Sequence, residues 1–169
     1  SFIDEGTDIW KQIKKQFFMV HEFCEKLEKG EKTGWKNDRF ENVIFLGLGG
    51  SIIPQKFVHK ALKNKYRTSR LKFGFFSNPD GLDLSEYLMS CNAGTTFFVL
   101  QSKSLKTPEL FFLFDYAKKW LHNNGCSKDS IFSHFAVVTG DSKSAKTRDF
   151  ISDHIFEIPE KLGGRFSIW

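Results

Sequence analysis

The stretch NVIFLGLGGS, residues 42–51, decides the fold that this sequence predicts. The run from Val43 to Leu46 is apolar without interruption, which is typical of a strand buried on both faces, as in a parallel sheet covered by helices. Glycines then allow a tight turn that presents Ser51, and a helical pattern follows from about Pro54 to Asn64. A strand, a glycine turn and a helix in this order are the start of an α/β domain.

Four further apolar runs repeat this pattern along the chain. They are LKFGFF (71–76), TTFFVLQS (95–102), HFAVVTG (134–140) and HIFEIP (154–159). Helical patterns lie between them, around 82–90, 108–123 and 144–151. Right-handed crossovers between parallel strands place helices on both faces of a sheet. The sequence therefore predicts a three-layer α/β/α sandwich around a five-stranded parallel sheet.

A helix is predicted ahead of this domain, from Thr7 to Gly30. Apolar residues recur there at steps of three and four, which predicts that they share one buried face. These residues are Ile9, Ile13, Phe17, Val20, Cys24 and Leu27. We expect two parts in the chain, a helix with a polar linker over residues 1–40 and the α/β domain over residues 41–169.

Composition narrows the classes of partner. The chain has 25 Lys and Arg against 20 Asp and Glu, a net charge of +5 that is spread along the sequence and does not form the stripe of a nucleic-acid binder. A small anionic ligand fits this balance better. No apolar run reaches the roughly 18 residues of a membrane span, and the first residues lack the basic start of a secretory signal. Three widely spaced cysteines indicate reduced thiols and a cytoplasmic protein.

The glycine turn, residues 47–51 (GLGGS), is the first candidate for ligand binding. Loops at the carboxyl ends of parallel strands hold the ligands of open α/β sheets. A dinucleotide fingerprint fails here because Ile52 stands where the third glycine is required, and no Gly-Lys-Ser/Thr of a phosphate-binding Walker loop follows. The turn is either a plain strand-to-helix connection or a site that presents Ser51 beside free backbone N–H groups.

The second candidate is the segment QSKSLKTPEL, residues 101–110, and its residues 102–107 (SKSLKT) are named the serine loop. It places Ser102, Ser104 and Thr107 with two lysines directly after a predicted strand. Thr107 and Pro108 fit the N-cap and the first position of the next helix. Hydroxyls and N–H groups at a helix N-terminus suit a phosphate monoester. The alternative is that Thr107 caps its helix and the serines only form a turn.

The third candidate is the segment GGRFS, in which Gly163 and Gly164 precede Arg165. It follows the fifth predicted strand, so Arg165 is expected at the same edge of the sheet. The segment SNPDG (77–81) is strong turn chemistry, and the turn is preferred there over a ligand contact. The five histidines show no metal-binding spacing, and we expect neither a metal nor a cofactor.

Four segments together resemble one family. GLGGS, SNPDG, QSKSLKT and EIPEKLGGRFS stand in the order and rough spacing of the glucose-6-phosphate isomerases. The resemblance covers about three quarters of the chain, from near Val43 to the last residue. It implies the sugar isomerase domain, a flavodoxin-like five-stranded sheet, and conversion of glucose 6-phosphate to fructose 6-phosphate in glycolysis and gluconeogenesis without a cofactor.

The resemblance also implies roles for individual residues. Gly50 and Ser51 would lie near the sugar, and Arg165, which follows Gly164, would stabilise the enediolate. The phosphate would be held by Ser102, the backbone at Lys103, Ser104 and Thr107. Glu109 matches a family acid near this site, and we hypothesise that it orients Arg165 or Lys103.

Departures and gaps accompany the resemblance. The family continues its glycine turn with Asp-Leu-Gly-Pro, where this chain has Ile52-Ile53-Pro54. It has Thr-Thr-Gln-Glu in the second loop, where this chain has Lys106-Thr107-Pro108-Glu109. Its base glutamate, ring-opening histidine and late lysine would follow residue 169. We therefore expect a part of a longer, homodimeric enzyme, inactive alone, with a non-catalytic phosphosugar-sensing domain of a regulator as the alternative.

Overall fold

The five predicted strands form one parallel sheet. The computed structural model describes residues 3–4, 7–62, 69–79 and 81–159. A small antiparallel pair, β1 (Ile3–Asp4) and β2 (Thr7–Asp8), comes first. The main strands are β3 (Asn42–Gly47), β4 (Lys72–Phe76), β5 (Thr96–Gln101), β6 (Phe135–Thr139) and β7 (Ile155–Glu157). They pair in parallel in the order β4-β3-β5-β6-β7, which confirms the flavodoxin-like prediction.

Within the described ranges, five α-helices cover the sheet. They are α1 (Ile9–Lys29), α2 (Ile53–Leu62), α3 (Leu82–Leu88), α4 (Pro108–Asn123) and α5 (Ser142–Lys146). Helices α3, α4 and α5 pack on one face of the sheet around Phe98, Phe135 and Leu113. Helix α1 packs on the other face, against Phe97 and Phe156, so the three-layer prediction is confirmed.

The buried face of α1 differs from the predicted one. Leu27 is buried as expected, but Phe17 is 63% exposed and Val20 and Cys24 are also exposed. The buried aromatic residue is Phe23, whose ring lies 5.7 Å from Phe97 and 5.1 Å from Phe156 between ring centroids. Because α1 also has apolar residues outside the predicted stripe, at Phe18, Met19 and Phe23, periodicity alone does not decide which side faces the sheet. The aromatic contacts of Phe23 decide it.

The predicted polar linker is bound to the sheet by two buried histidines. His134 accepts a hydrogen bond from the backbone N–H of Trp35 and donates to the carbonyl of Thr96, at 3.1 and 2.7 Å. His154 accepts from Lys32 at 3.0 Å and donates to the carbonyl of Phe135 at 2.8 Å. Burial lowers the pKa of both imidazoles, that of His154 to about 4.

Helix α5 is shorter than the pattern of residues 144–151 predicted. It ends at Lys146, and Asp149 takes a left-handed conformation with φ of 65°, which turns the chain so that Phe150 enters the core. Among the described residues, no helix is both long and apolar enough to cross a membrane. The predicted division of the chain at residues 40 and 41 remains a prediction.

Candidate functional site

Two of the candidate loops begin side by side at the point where the strand order reverses. From β3 the chain passes to β4 on one side and then to β5 on the other, so the carboxyl ends of β3 and β5 flank this switch point. Gly47 and Gln101 are partners in the register of these strands. Neighbouring strands lie about 4.8 Å apart, so the glycine turn and the serine loop leave the sheet next to each other.

The glycine turn is held close to β5. A Cβ on Gly47 would lie 3.2 Å from the carbonyl oxygen of Gln101, so a larger residue there would require a shift of a few tenths of an ångström between the two strand ends. Gly49 has φ of 51°, and the N–H of Ser51 donates to the carbonyl of Leu48 at 3.0 Å. The N–H of Gly50 and the hydroxyl of Ser51 donate to no residue within the described ranges. The turn thus presents two donors at the switch point.

The serine loop is anchored by its first hydroxyl. Ser102 is buried, its N–H donates to the carbonyl of Val138 at 3.1 Å, and its Oγ accepts from the N–H of Leu105 at 3.1 Å. Leu105 is itself buried with φ of 48°, which fixes the bend of the loop. Because Oγ acts as an acceptor inside the loop, its own proton remains for donation outward.

The other polar groups of this loop face solvent at the start of α4. Lys103, Ser104 and Lys106 are exposed. Thr107 is the N-cap residue of α4, but its side chain makes no capping bond, so the predicted capping role of its hydroxyl is not observed. Counting only bonds to described residues, the N–H groups of Lys103, Ser104 and Thr107 have no acceptor. Together with the positive end of a 16-residue helix, they favour an anion.

The end of β6 supports the serine loop from the other side. The carbonyl of Lys103 accepts from the N–H of Gly140 at 2.9 Å and from the hydroxyl of Thr139 at 3.2 Å. Asp141 follows and caps α5 by accepting from the N–H of Ser144 at 3.0 Å, which lowers the pKa of its carboxyl. Thr139 was not among the candidates from the sequence, although its place at the carboxyl end of a predicted strand is a signal that could have identified it.

The predicted site residues divide into two groups. Seven lie on the two adjoining connections or in the first turn of α4: Gly50, Ser51, Ser102, Lys103, Ser104, Thr107 and Glu109. Gly164 and Arg165 lie outside the described residues. The assignment of all nine to a sugar-phosphate site remains a prediction. The geometry shows that the seven described residues lie in segments at the carboxyl ends of β3 and β5.

Gln101 begins the second candidate segment, but the sequence assigned it no role, and its burial leads to a test of stability. It is 7% exposed, and its side-chain oxygen accepts from no residue of the described chain. An unpaired buried acceptor costs roughly 1–3 kcal/mol. We expect Gln101→Met, which keeps the shape without the polar atoms, to raise the free energy of unfolding of the ligand-free chain by about 1 kcal/mol, as measured by urea denaturation.

The matched control for Gln101→Met is Gln16→Met. The Gln16 side chain accepts from the N–H of Glu157 at 3.0 Å, so its replacement leaves that donor unpaired. We expect this variant to lose about 1 kcal/mol, and a loss in both variants would contradict the effect expected for Gln101.

Comparison with known proteins gives one consistent family. A family model described as phosphoglucose isomerase matches residues 1–169. Proteins named glucose-6-phosphate isomerase from a Marinomonas species and from Shewanella frigidimarina are 32% and 30% identical over 98% and 100% of this chain. The chain spans 30% and 31% of their lengths.

A solved structure shows the same fold. The crystal structure of a glucose-6-phosphate isomerase from Chlamydia trachomatis matches 99% of this chain and 30% of its own, with a TM-score of 0.82 and 24% identity. The family model over the full printed sequence and the strand order with its two adjoining loops agree. This chain belongs to the phosphoglucose isomerase family.

Proposed function

We propose that this chain supplies the phosphate-binding loops of a glucose-6-phosphate isomerase, which interconverts glucose 6-phosphate and fructose 6-phosphate. The observation that carries the proposal is the adjacency of the glycine turn and the serine loop at the switch point, where the serine loop leads directly into the N-terminus of α4. Hydroxyls and N–H groups that donate to no described residue meet there, as binding of a phosphate ester requires.

The phosphate and the sugar have different neighbours in this proposal. Ser102, Ser104 and Thr107, with the N–H of Lys103, hold the phosphate, and the exposed Lys106 adds positive charge nearby. Gly50 and Ser51, on the neighbouring connection, lie toward the sugar. Binding through the phosphate therefore leaves the reacting end of the sugar at the carboxyl ends of the strands, beside the glycine turn.

Arg165 is assigned to the reacting carbons. A proton moves between C1 and C2 of the open-chain sugar, and negative charge develops on the adjacent oxygens as the enediolate forms. A fixed guanidinium stabilises that charge in the transition state more than in the ground state, which is the requirement for faster turnover. Glu109, in the first turn of α4, is proposed to orient Arg165 or Lys103.

The setting of the whole enzyme belongs to the same proposal. The chain spans about 30% of its named relatives, and the base and the group that opens the sugar ring are assigned to the remainder. We propose a cytoplasmic homodimer acting in glycolysis and gluconeogenesis. The cytoplasmic location is supported by the free thiols of Cys24, Cys91 and Cys126.

Binding can be tested on the chain itself. Titration with fructose 6-phosphate, followed by amide NMR, is expected to shift the signals of Gly50, Ser51 and residues 102–107. We expect a dissociation constant near the millimolar range, since a few charged hydrogen bonds of roughly 1.5–3 kcal/mol each are opposed by the cost of association. Unphosphorylated fructose is the ligand control and is expected to leave these signals in place.

A pair of serine variants tests whether the hydroxyl of Ser104 contributes to fructose 6-phosphate binding. Ser104→Ala removes one exposed hydroxyl from the serine loop and is expected to weaken fructose 6-phosphate binding by about tenfold. The control is Ser133→Ala. Ser133 precedes the amino end of β6, opposite to the carboxyl end where the loops lie, and its hydroxyl donates to the carbonyl of Ser130 at 2.7 Å. Shifts confined to residues outside the two loops would remove the proposed site.

A further inference from the structure

We propose that Thr139 is a positioning residue for phosphate binding, an inference that rests on the proposed function. Thr139 is the last residue of β6 and is 0% exposed. Its neighbour Val138 is the register partner of Gln101, so Thr139 lies level with Ser102, where the serine loop begins. Its buried side chain can therefore contact the backbone of the serine loop but does not contact a ligand directly.

The direction of the Thr139 hydroxyl follows from its two neighbours. The N–H of Asp141 donates to Oγ1 of Thr139 at 3.0 Å, so this oxygen serves as the acceptor of that bond. The hydroxyl proton is then free to donate to the carbonyl of Lys103, 3.2 Å away. The N–H of Gly140 donates to the same carbonyl at 2.9 Å. Two donors from the end of β6 thus fix the carbonyl of Lys103 toward the sheet.

Fixing this carbonyl also fixes the next N–H. In a trans peptide the C=O of one residue and the N–H of the next point in opposite directions. With the carbonyl of Lys103 held toward β6, the N–H of Ser104 points away from β6, and it donates to no residue in the part of the chain that the structure describes. If the peptide unit rotated, it would present a carbonyl oxygen where an anion is expected, which is repulsive.

Gly140 shows how little room this arrangement has. A Cβ on Gly140 would lie 3.1 Å from the carbonyl oxygen of Lys103, so that oxygen would have to move by a few tenths of an ångström. Thr139 and Gly140 therefore act on the same peptide unit by two independent means, a donated hydrogen bond and the absence of a side chain.

Three threonine variants of the chain test the inference. Thr139→Val removes the hydroxyl and keeps the shape, and it is expected to weaken fructose 6-phosphate binding by about tenfold. Thr139→Ser keeps the hydroxyl and is expected to retain the affinity. The matched control is Thr96→Val, because Thr96 is also 0% exposed and donates to the carbonyl of Asn92 at 2.7 Å, but at the opposite end of the sheet.

A readout independent of the ligand accompanies the titration. The N–H of Leu105 is bonded within the serine loop, so its hydrogen exchange reports the order of the loop. We expect exchange of this amide to become about tenfold faster in Thr139→Val and to stay unchanged in Thr96→Val. If Thr139 had only a structural role, Thr139→Val and Thr96→Val would both have a lower melting temperature. They would then show the same affinity for fructose 6-phosphate and the same exchange rate at Leu105.

The outcomes separate this inference from the proposed function. Equal affinity and equal Leu105 exchange in the wild type and Thr139→Val overturn the role of Thr139, while the binding site stands. If the wild-type chain binds neither fructose 6-phosphate nor inorganic phosphate, the proposed function itself is overturned. Should Thr139→Val not fold, Gly140→Ala displaces the same carbonyl and is expected to give a similar loss of affinity, and unchanged affinity in that variant counts against the inference.

Discussion

Lowering the pH from 6.5 to 4 is expected to remove about 3 kcal/mol of stability from this chain through His154 alone. The pKa of His154 is lowered from 6.5 to about 4, mainly because burial disfavours the charged imidazole. One pKa unit corresponds to about 1.4 kcal/mol. The unfolded chain takes up the proton first, so the stability contributed by neutral His154 is complete well above pH 6.5. It falls as the pH is lowered from 6.5 toward 4 and levels off below pH 4.

The contacts of His154 explain why the folded chain resists protonation. Its Nδ1–H donates to the carbonyl of Phe135, and its Nε2 accepts from the ammonium of Lys32 at 3.0 Å. A second proton on the ring would place two positive donors against each other. Asp153 is the nearby charge that favours protonation, and its effect is smaller than that of burial. The rings of Phe23 and Phe97 enclose the imidazole.

The measurement is urea denaturation at pH 7 and pH 4 in the wild type and in His154→Gln. We expect the difference between the two pH values to be about 3 kcal/mol smaller in the variant. Gln16→Met is the control, because it removes no titratable group, and it should keep the wild-type pH dependence. Equal pH dependence in the wild type and in His154→Gln would contradict the assignment.

Arg165→Ala is expected to lower turnover by a factor of about 10² to 10³ in the longer isomerase that we propose, the usual effect of removing one group that stabilises a developing oxyanion. The Michaelis constant should change little, since the phosphate is assigned to the serine loop. Arg165→Lys should recover part of the rate, because it keeps the charge and loses the planar fork of donors. The measurement is a coupled assay of the conversion of fructose 6-phosphate to glucose 6-phosphate.

Arg148→Ala is the matched control for Arg165. Arg148 is an exposed arginine that follows α5, and its guanidinium lies 4.2 Å from the ring centre of Phe111 on α4. Its replacement should leave turnover unchanged. Normal turnover in Arg165→Ala would remove the role assigned to this residue. Absence of turnover in the wild-type longer protein would instead favour a phosphosugar-sensing domain.

The sheet could be predicted closely because its signals are local. Each of β3, β5 and β6 is an apolar run that ends at glycine or at a polar residue, and Pro108 marks the first residue of α4. Parallel strands with helical crossovers leave few possible topologies. The candidate loops follow directly, since ligand sites in such sheets lie at the carboxyl ends of strands.

The remaining features depend on contacts distant in sequence. The buried face of α1 is set by Phe23 meeting Phe97 and Phe156, which are more than seventy residues away along the chain. The role of Thr139 depends on the carbonyl of Lys103, a main-chain atom that no side-chain pattern reveals. Gln101 reads as an ordinary strand end until its burial is known.

The order of the strands also predicts which parts of the sheet open first. β4 and β7 have one neighbour each, and β7 is only three residues long. β3, β5 and β6 each pair on both sides. Transient detachment of β7 therefore breaks only its hydrogen bonds to β6 and leaves the pairing of β3 with β5 intact. Slow amide exchange should be concentrated in β3 and β5, so that detachment of β7 leaves the proposed phosphate-binding end of the molecule assembled.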